Sequence, residues 1–155
     1  MYGVETTVLA LDLGTQMGWA LHQHGLVNSG VWSFSVSRHM SHEMRFIKFE
    51  KTLEEVYAAT SDLAEVYYEE VRAHRGVDAS HIYGGFLAVL TMWCGKHGIP
   101  YMGVPVGTIK KHATGKGNAS KEGMVVAAIE NGWQPKDDNE ADALWLLDLV
   151  LKGGV

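Results

Sequence analysis

The sequence predicts an α/β fold: a mixed five-stranded sheet, three antiparallel strands followed by two parallel ones, with helices on both faces. Three observations carry this. A short apolar run, residues 8–13, opens the chain and stops at Gly14, and two more extended segments follow with glycines between them. Helical and strand periodicities then alternate to the end of the chain. The last periodic segment, residues 139–151, is apolar on most sides, as a helix covered by other elements must be. Hairpin-linked strands followed by alternating helices and strands produce a mixed sheet covered on both faces.

Taken in order, residues 8–13 (VLALDL) read as a buried central strand. Residues 18–22 and 26–34, punctuated by Gly25 and Gly30, complete an antiparallel meander. Over residues 41–59, Met44, Ile47, Phe49, Leu53 and Val56 recur at helical spacing, with Ser41 placed to cap. Residues 65–71 (EVYYEEV) are rich in strand formers. Residues 82–97 read as a mostly apolar helix, and residues 100–106 as a short strand bounded by prolines. Residues 120–131 carry a capping Ser120, an apolar face and Gly132 as a stop. The final helix spans residues 139–151. The order is βββ-α-β-α-β-α-α. With no internal repeat and no linker composition, residues 1–155 are expected to form a single domain.

Composition narrows the function classes. A chain of 155 residues buries roughly 70% of its unfolded surface on folding. Its 46% hydrophobic and 20% charged content is that of a globular protein. No apolar run approaches the roughly 18 residues of a membrane span, so no membrane partner is expected. Residues 1–7 lack a basic leader region, and the apolar residues 8–11 are too few for a signal peptide. One cysteine, Cys94, excludes an internal disulfide framework and suits a reducing compartment, so the cytoplasm of a bacterial or phage-infected cell is the expected location. The net charge of −5 speaks against a uniformly basic nucleic-acid binder. The charge is segregated, however. Residues 108–121 hold Lys110, Lys111, Lys116, Lys121 and His112 without one acid, while acids crowd residues 43–70 and 137–148. Such a chain can bind a polyanion through one region and metal through another.

The acids form a constellation. Asp12 lies inside an apolar strand, where a carboxylate is costly unless it is paired, hydrogen-bonded or bound to metal. The bland reading of Asp12 is a cap for the following turn. Glu69 and Glu70 alternate across a strand, so only one can face the way Asp12 does. Asp138 and Asp142 are four residues apart, on one face of a helix, where like charges repel without a cation. Asp137 and Asp138 could simply complement a helix dipole; Asp142 lies past that first turn. A strand-one Asp, a strand-four Glu and C-terminal helix acids can converge on one sheet edge. Carboxylate oxygens suit Mg²⁺ or Mn²⁺, and a pair of such ions about 4 Å apart is a known device for phosphodiester hydrolysis.

Four stretches carry a resemblance: LALDLGTQMGWAL (residues 9–21), VYYEEV (66–71), TGKGNASKEGMVVAAI (114–129) and DDNEADALWLL (137–147). In order and spacing they resemble the RuvC family of Holliday junction resolvases, of the RNase H-like fold, and its phage-type members in particular. That resemblance implies a structure-selective endodeoxyribonuclease cutting four-way and other branched DNA junctions, with Mg²⁺ or Mn²⁺, two ions per site, and a homodimer. By the same resemblance the catalytic, metal-holding acids fall on Asp12, Glu69, Asp138 and Asp142, with Glu69 preferred to Glu70 because it directly follows the apolar part of its strand. Bacterial members place the third acid where this chain has Asn139; fungal mitochondrial members place it at the position of Asp138, and Glu140 and Asp137 stand as alternatives. Lys121 matches a catalytic lysine, and Lys110 or Lys111 another basic residue of the rim. Lys116, beside Gly115 and Gly117, is expected to meet DNA as well. After the catalytic Glu, bacterial members carry wedging aromatics; here Arg72, His74 and Arg75 stand instead, suited to gripping phosphates or stacking on bases.

Other residues are assigned to packing. Cys94, Met92, Trp93, Met124 and Trp145 read as core, and the eight histidines lack the company of a zinc site. Apolar positions over residues 82–93 offer a dimer face. Three competing functions remain. The Asp12–Thr15 turn also suits a phosphate-binding ATPase, but one domain leaves room for only one copy of that duplicated fold, so no nucleotide cofactor is expected. Asn139 keeps a non-catalytic junction binder open, and the RNase H-like fold a nuclease of other branched DNA or RNA–DNA hybrids.

Overall fold

The computed structural model describes residues 6–155. Residues 1–5, part of the segment read for the absence of a leader, lie outside the described residues. The chain runs β1 (Thr7–Asp12), β2 (Gln16–Gln23), β3 (Leu26–Ser33), α1 (Met44–Thr60), β4 (Leu63–Glu70), α2 (Val77–His97), β5 (Tyr101–Pro105), α3 (Val106–Thr114), α4 (Lys121–Glu130) and α5 (Asp138–Leu151). The five strands form one sheet in the order β3-β2-β1-β4-β5. β1–β2 and β2–β3 pair antiparallel, and β1–β4 and β4–β5 pair parallel. This is the mixed sheet the pattern predicts.

β1 sits at the centre, and its period-two alternation sorts the core into two halves. Val8 and Ala10 face the layer of α3, α4 and α5, with Tyr67, Val104, Ile109 and Leu147. Leu9, Leu11 and Leu13 face α1 and α2, with Phe49, Leu53, Phe86 and Leu90. α5 lies against β1 and β2 and is itself covered by α3 and α4. Hence it is buried nearly all round, from Ala141 through Val150.

Several boundaries differ from expectation. α3 reads as loop in sequence because its nine residues bury only Ile109, too short a segment for periodicity to show. α2 starts at Val77 rather than residue 82, since its N-cap, Gly76 at φ 86°, offers no capping side chain to mark the start. Ser41 does not cap α1: the N-cap position falls on Glu43, without a side-chain cap, and Ser41 contributes only its carbonyl to Met44 N–H at 3.2 Å. Ser120 does cap α4, accepting from Gly123 N–H at 3.0 Å. Trp93, Trp145, Met124 and Cys94 are core, and burial pushes the Cys94 thiol up to about 12. Met92 is not: it is 50% exposed, on the side of α2 turned away from the sheet.

Phe86 is fully buried where Phe34, Phe46 and Phe49 all meet its ring, at centroid distances of 5.8, 5.1 and 5.4 Å. Phe86→Ala is expected to cost about 3–5 kcal/mol, read as a lower urea midpoint at unchanged slope.

Candidate active site

The parallel register that sets Leu11 beside Tyr68 carries on to bring Glu69 alongside Asp12 at the C-terminal edge of the sheet. Both side chains point to the α5 side, because Ala10 and Tyr67, two residues before each, do. Glu70 points to the other side, where it accepts from Arg72 Nε at 3.3 Å. Asp142, on the second turn of α5, completes the group: carboxylate oxygens of Asp12, Glu69 and Asp142 all lie within 4.8 Å of one another. Glu69 is buried and the other two half-buried.

The electrostatics follow. Burial is the first cause holding the Asp12 carboxyl well above its usual range, followed by the charge of Glu69, a hydrogen bond with it, and the charges of Asp142 and Asp138. Asp142 is raised to about 8, again by burial first, then by Glu69 and Asp138. Lys110 and Lys121 oppose that rise, which puts both lysines within electrostatic reach of the acids. Asp138 therefore lies near the group without belonging to the tight trio.

The remaining acids of this stretch have structural duties. Asp137 is the N-cap of α5, accepting from Glu140 N–H at 2.9 Å. Glu140 is buried, accepting from Ser29 Oγ at 2.7 Å and Lys136 N–H at 2.8 Å. Neither alternative for the third acid is free to turn inward. Asn139 donates to Asp137 at 3.4 Å, outside the acid group.

The basic residues divide. Lys121 and Asp138 line one cleft of about 460 Å³. Lys110 is half-buried beside Asp142, whereas Lys111 is exposed. That separates two lysines the sequence leaves equivalent. Lys116 is exposed and lines a separate pocket with Asn118 and Ser120. Arg72 and Arg75 are exposed on the segment after β4. His74 packs on Tyr83 at 4.7 Å and lines a second cleft with Leu13, Gly14 and Thr15, directly after Asp12.

Sequence reasoning missed Gly18. It pairs with Asp12 across β1–β2, and a Cβ there would overlap the Asn139 carbonyl and the Glu140 backbone. The missing side chain is what lets the first turn of α5 rest on the sheet beside Asp12. A glycine inside a strand is the signal for such an approach.

The donor set of three clustered carboxylates, two of them raised by burial and by their neighbours' charge, and rimmed by two lysines, fits a hard divalent cation. The sheet order and helix layers are those of the RNase H-like fold. Among solved structures the chain is similar to Thermus thermophilus RuvC in complex with Holliday junction substrate, at TM-score 0.71 and 21% identity over 91% of this chain and 90% of that one. A second Thermus thermophilus RuvC structure gives 0.69 and 19% over 96% and 97%. The yeast mitochondrial Holliday junction resolvase Ydc2 gives 0.59 and 13% over 94% and 77%. These likenesses establish the fold. No family model and no curated protein sequence matches. Among the described residues no helix is long and apolar enough to cross a membrane.

Two outcomes are expected. Because Asp12 and Asp142 bind protons more tightly folded than unfolded, their contribution is full below the ordinary carboxylate range and is lost as pH rises, that of Asp142 through about 8. In EDTA the thermal midpoint should therefore fall between about pH 5 and 8, and Mg²⁺ or Mn²⁺ should restore more at the upper end than at the lower. Gly18→Ala should lift the start of α5, costing about 1–3 kcal/mol and weakening that metal-dependent stabilisation in the same scan.

Proposed function

We propose that the chain is a structure-selective endodeoxyribonuclease that resolves four-way and other branched DNA junctions by metal-dependent phosphodiester hydrolysis, with residues 1–155 acting as one nuclease domain. The observation that carries this reading is the Asp12–Glu69–Asp142 cluster at the sheet edge of a chain that shares the RuvC fold over nearly its full length.

In this reading Asp12, Glu69 and Asp142 hold Mg²⁺ or Mn²⁺, with Asp138 extending the set toward a second ion. What a divalent cation supplies there is polarisation of a phosphoryl oxygen and a more acidic attacking water. The chain does the rest. The capped start of α5 and the β1–β4 register keep the carboxylates convergent. Lys121 and Lys110 offset negative charge that grows on the scissile phosphate, and they orient it. Arg72, Arg75, Lys111 and Lys116 are exposed charges for flanking phosphates, and His74 borders the cleft beside Asp12. Paired cuts across a two-fold junction call for a homodimer. Of the apolar positions over residues 82–93, Met92 is exposed at 50% on the outer side of α2, the side that would carry the contact. Such work belongs in the cytoplasm of a bacterial or phage-infected cell, where branched DNA is cleared.

The test is cleavage of a labelled synthetic four-way junction in Mg²⁺ or Mn²⁺, beside linear duplex and RNA–DNA hybrid. Paired, metal-dependent nicks on the junction are expected. Asp12→Asn should lose more than the roughly 10–100-fold that disturbing an outer-shell partner costs, and Lys121→Ala about 100-fold. Tight junction binding without cleavage in either ion would make the chain a non-catalytic binder, and preferential cutting of the hybrid would move it to another nuclease class.

A further inference from the structure

We propose that the cavity between the N-terminal turns of α1 and α2 is a phosphate site built on Arg45, which takes a backbone phosphate of the DNA flanking the cut; this rests on the reading of the chain as a DNA nuclease. Arg45 is only 6% exposed, yet its Nε has no hydrogen-bond partner. No ion pair of the described residues involves it. Arg45 is thus a largely buried guanidinium with its Nε unpartnered and no carboxylate of the described residues in ion-pair range, its side chain lining the cavity. Such a group is costly unless an anion reaches it.

The space for an anion is present. Arg45 lines a cavity of about 370 Å³ together with His42, Phe46, Asp78, His81 and Ile82. Two imidazoles add N–H donors. The positive ends of two long helices, α1 of 17 residues and α2 of 21, meet there, and neither has a side-chain cap. α1 carries no acid in its first turn, and Glu43 at its N-cap position is exposed and does not line the cavity. Asp78 is the one carboxylate on the wall, and it is exposed and unpaired with Arg45. Planar guanidinium forks match phosphate oxygens two at a time.

Position favours the DNA backbone over a free anion. α1 and α2 begin at the same sheet edge at which β1 and β4 end with Asp12 and Glu69. Ile82 lines both this cavity and the cleft walled by Leu13, Gly14 and Thr15. A strand held at the acids can therefore run along that cleft to Arg45.

The experiment uses the full chain in EDTA, with Arg45→Met, and His81→Glu as a second variant at an exposed wall position that cannot unfold the core. Thermal shift with inorganic phosphate at constant ionic strength reads the site directly. Equilibrium binding of junction and linear duplex across salt reads its use by DNA. Phosphate should stabilise the wild type and neither variant. For both DNAs the salt slope should fall by about one, with affinity down roughly three- to tenfold at 0.1 M salt. Unchanged slope and affinity in both variants would overturn the proposal. So would a phosphate response that survives Arg45→Met, and a response confined to free phosphate would overturn the assignment to DNA. A wild type that cuts junctions while the variants keep its slope sinks this inference alone. A wild type that cuts nothing in Mg²⁺ or Mn²⁺, while Arg45→Met still lowers the duplex salt slope in EDTA, sinks the nuclease reading alone.

Discussion

Confinement of like charge at one sheet edge is the constraint on which the rest of this structure depends. Two carboxylates about 4 Å apart repel by about 4 kcal/mol at an effective dielectric constant near 20, and here three share a region 4.8 Å across. Left to itself such a group would spread apart or take up protons, and burial together with the neighbouring charges raises Asp12 and Asp142 in that direction. Its persistence requires supports that do not yield. Asp12 and Glu69 are carried by the two central parallel strands, whose register leaves neither residue room to slide.

Asp142 needs a different support, because it belongs to a helix that must be docked. α5 is anchored at its first turn from several directions. Asp137 caps it, and Glu140 ties it to Ser29 on β3 and to the Lys136 backbone. Gly18 leaves the gap into which the Asn139–Glu140 backbone settles. Further along, the buried row from Ala143 to Val150 sets the height of the helix over the sheet. Packing thus supplies the force that holds the carboxylates together against their repulsion.

The same edge collects the compensating charge. Lys110 on α3 and Lys121 on α4 lean toward Asp142, and the starts of α1 and α2 flank Arg45 on the other side of the sheet. A chain with a net charge of −5 can in this way present an acidic centre inside a basic rim. The segregation of lysines and acids along the sequence becomes, in the fold, a segregation across a few ångströms.

How much of this was legible in the chain depends on the range of the interaction concerned. The strand around Asp12, the meander, the Ser120 cap and the apolar final helix are visible because they follow from local periodicity and capping, each encoded within about ten residues. Asp12 and Asp142 could be named because a carboxylate set beside an apolar run contradicts its surroundings, whereas Glu69 was preferred to Glu70 by the family resemblance. α3, with a single buried residue, and the early start of α2, uncapped after Gly76, lack that local signature. By itself, then, the sequence determined the order of the strands and of every helix but α3, and it named the acids as candidates. Only the tertiary structure decided that Asp137 and Glu140 are structural, that Lys110 rather than Lys111 faces the acids, that Gly18 admits α5, and that Arg45 is buried unpaired. Each of these depends on contacts between residues distant in the chain, such as Ser29 with Glu140 or Gly18 with Asn139, and no local pattern encodes which distant partner a side chain will meet.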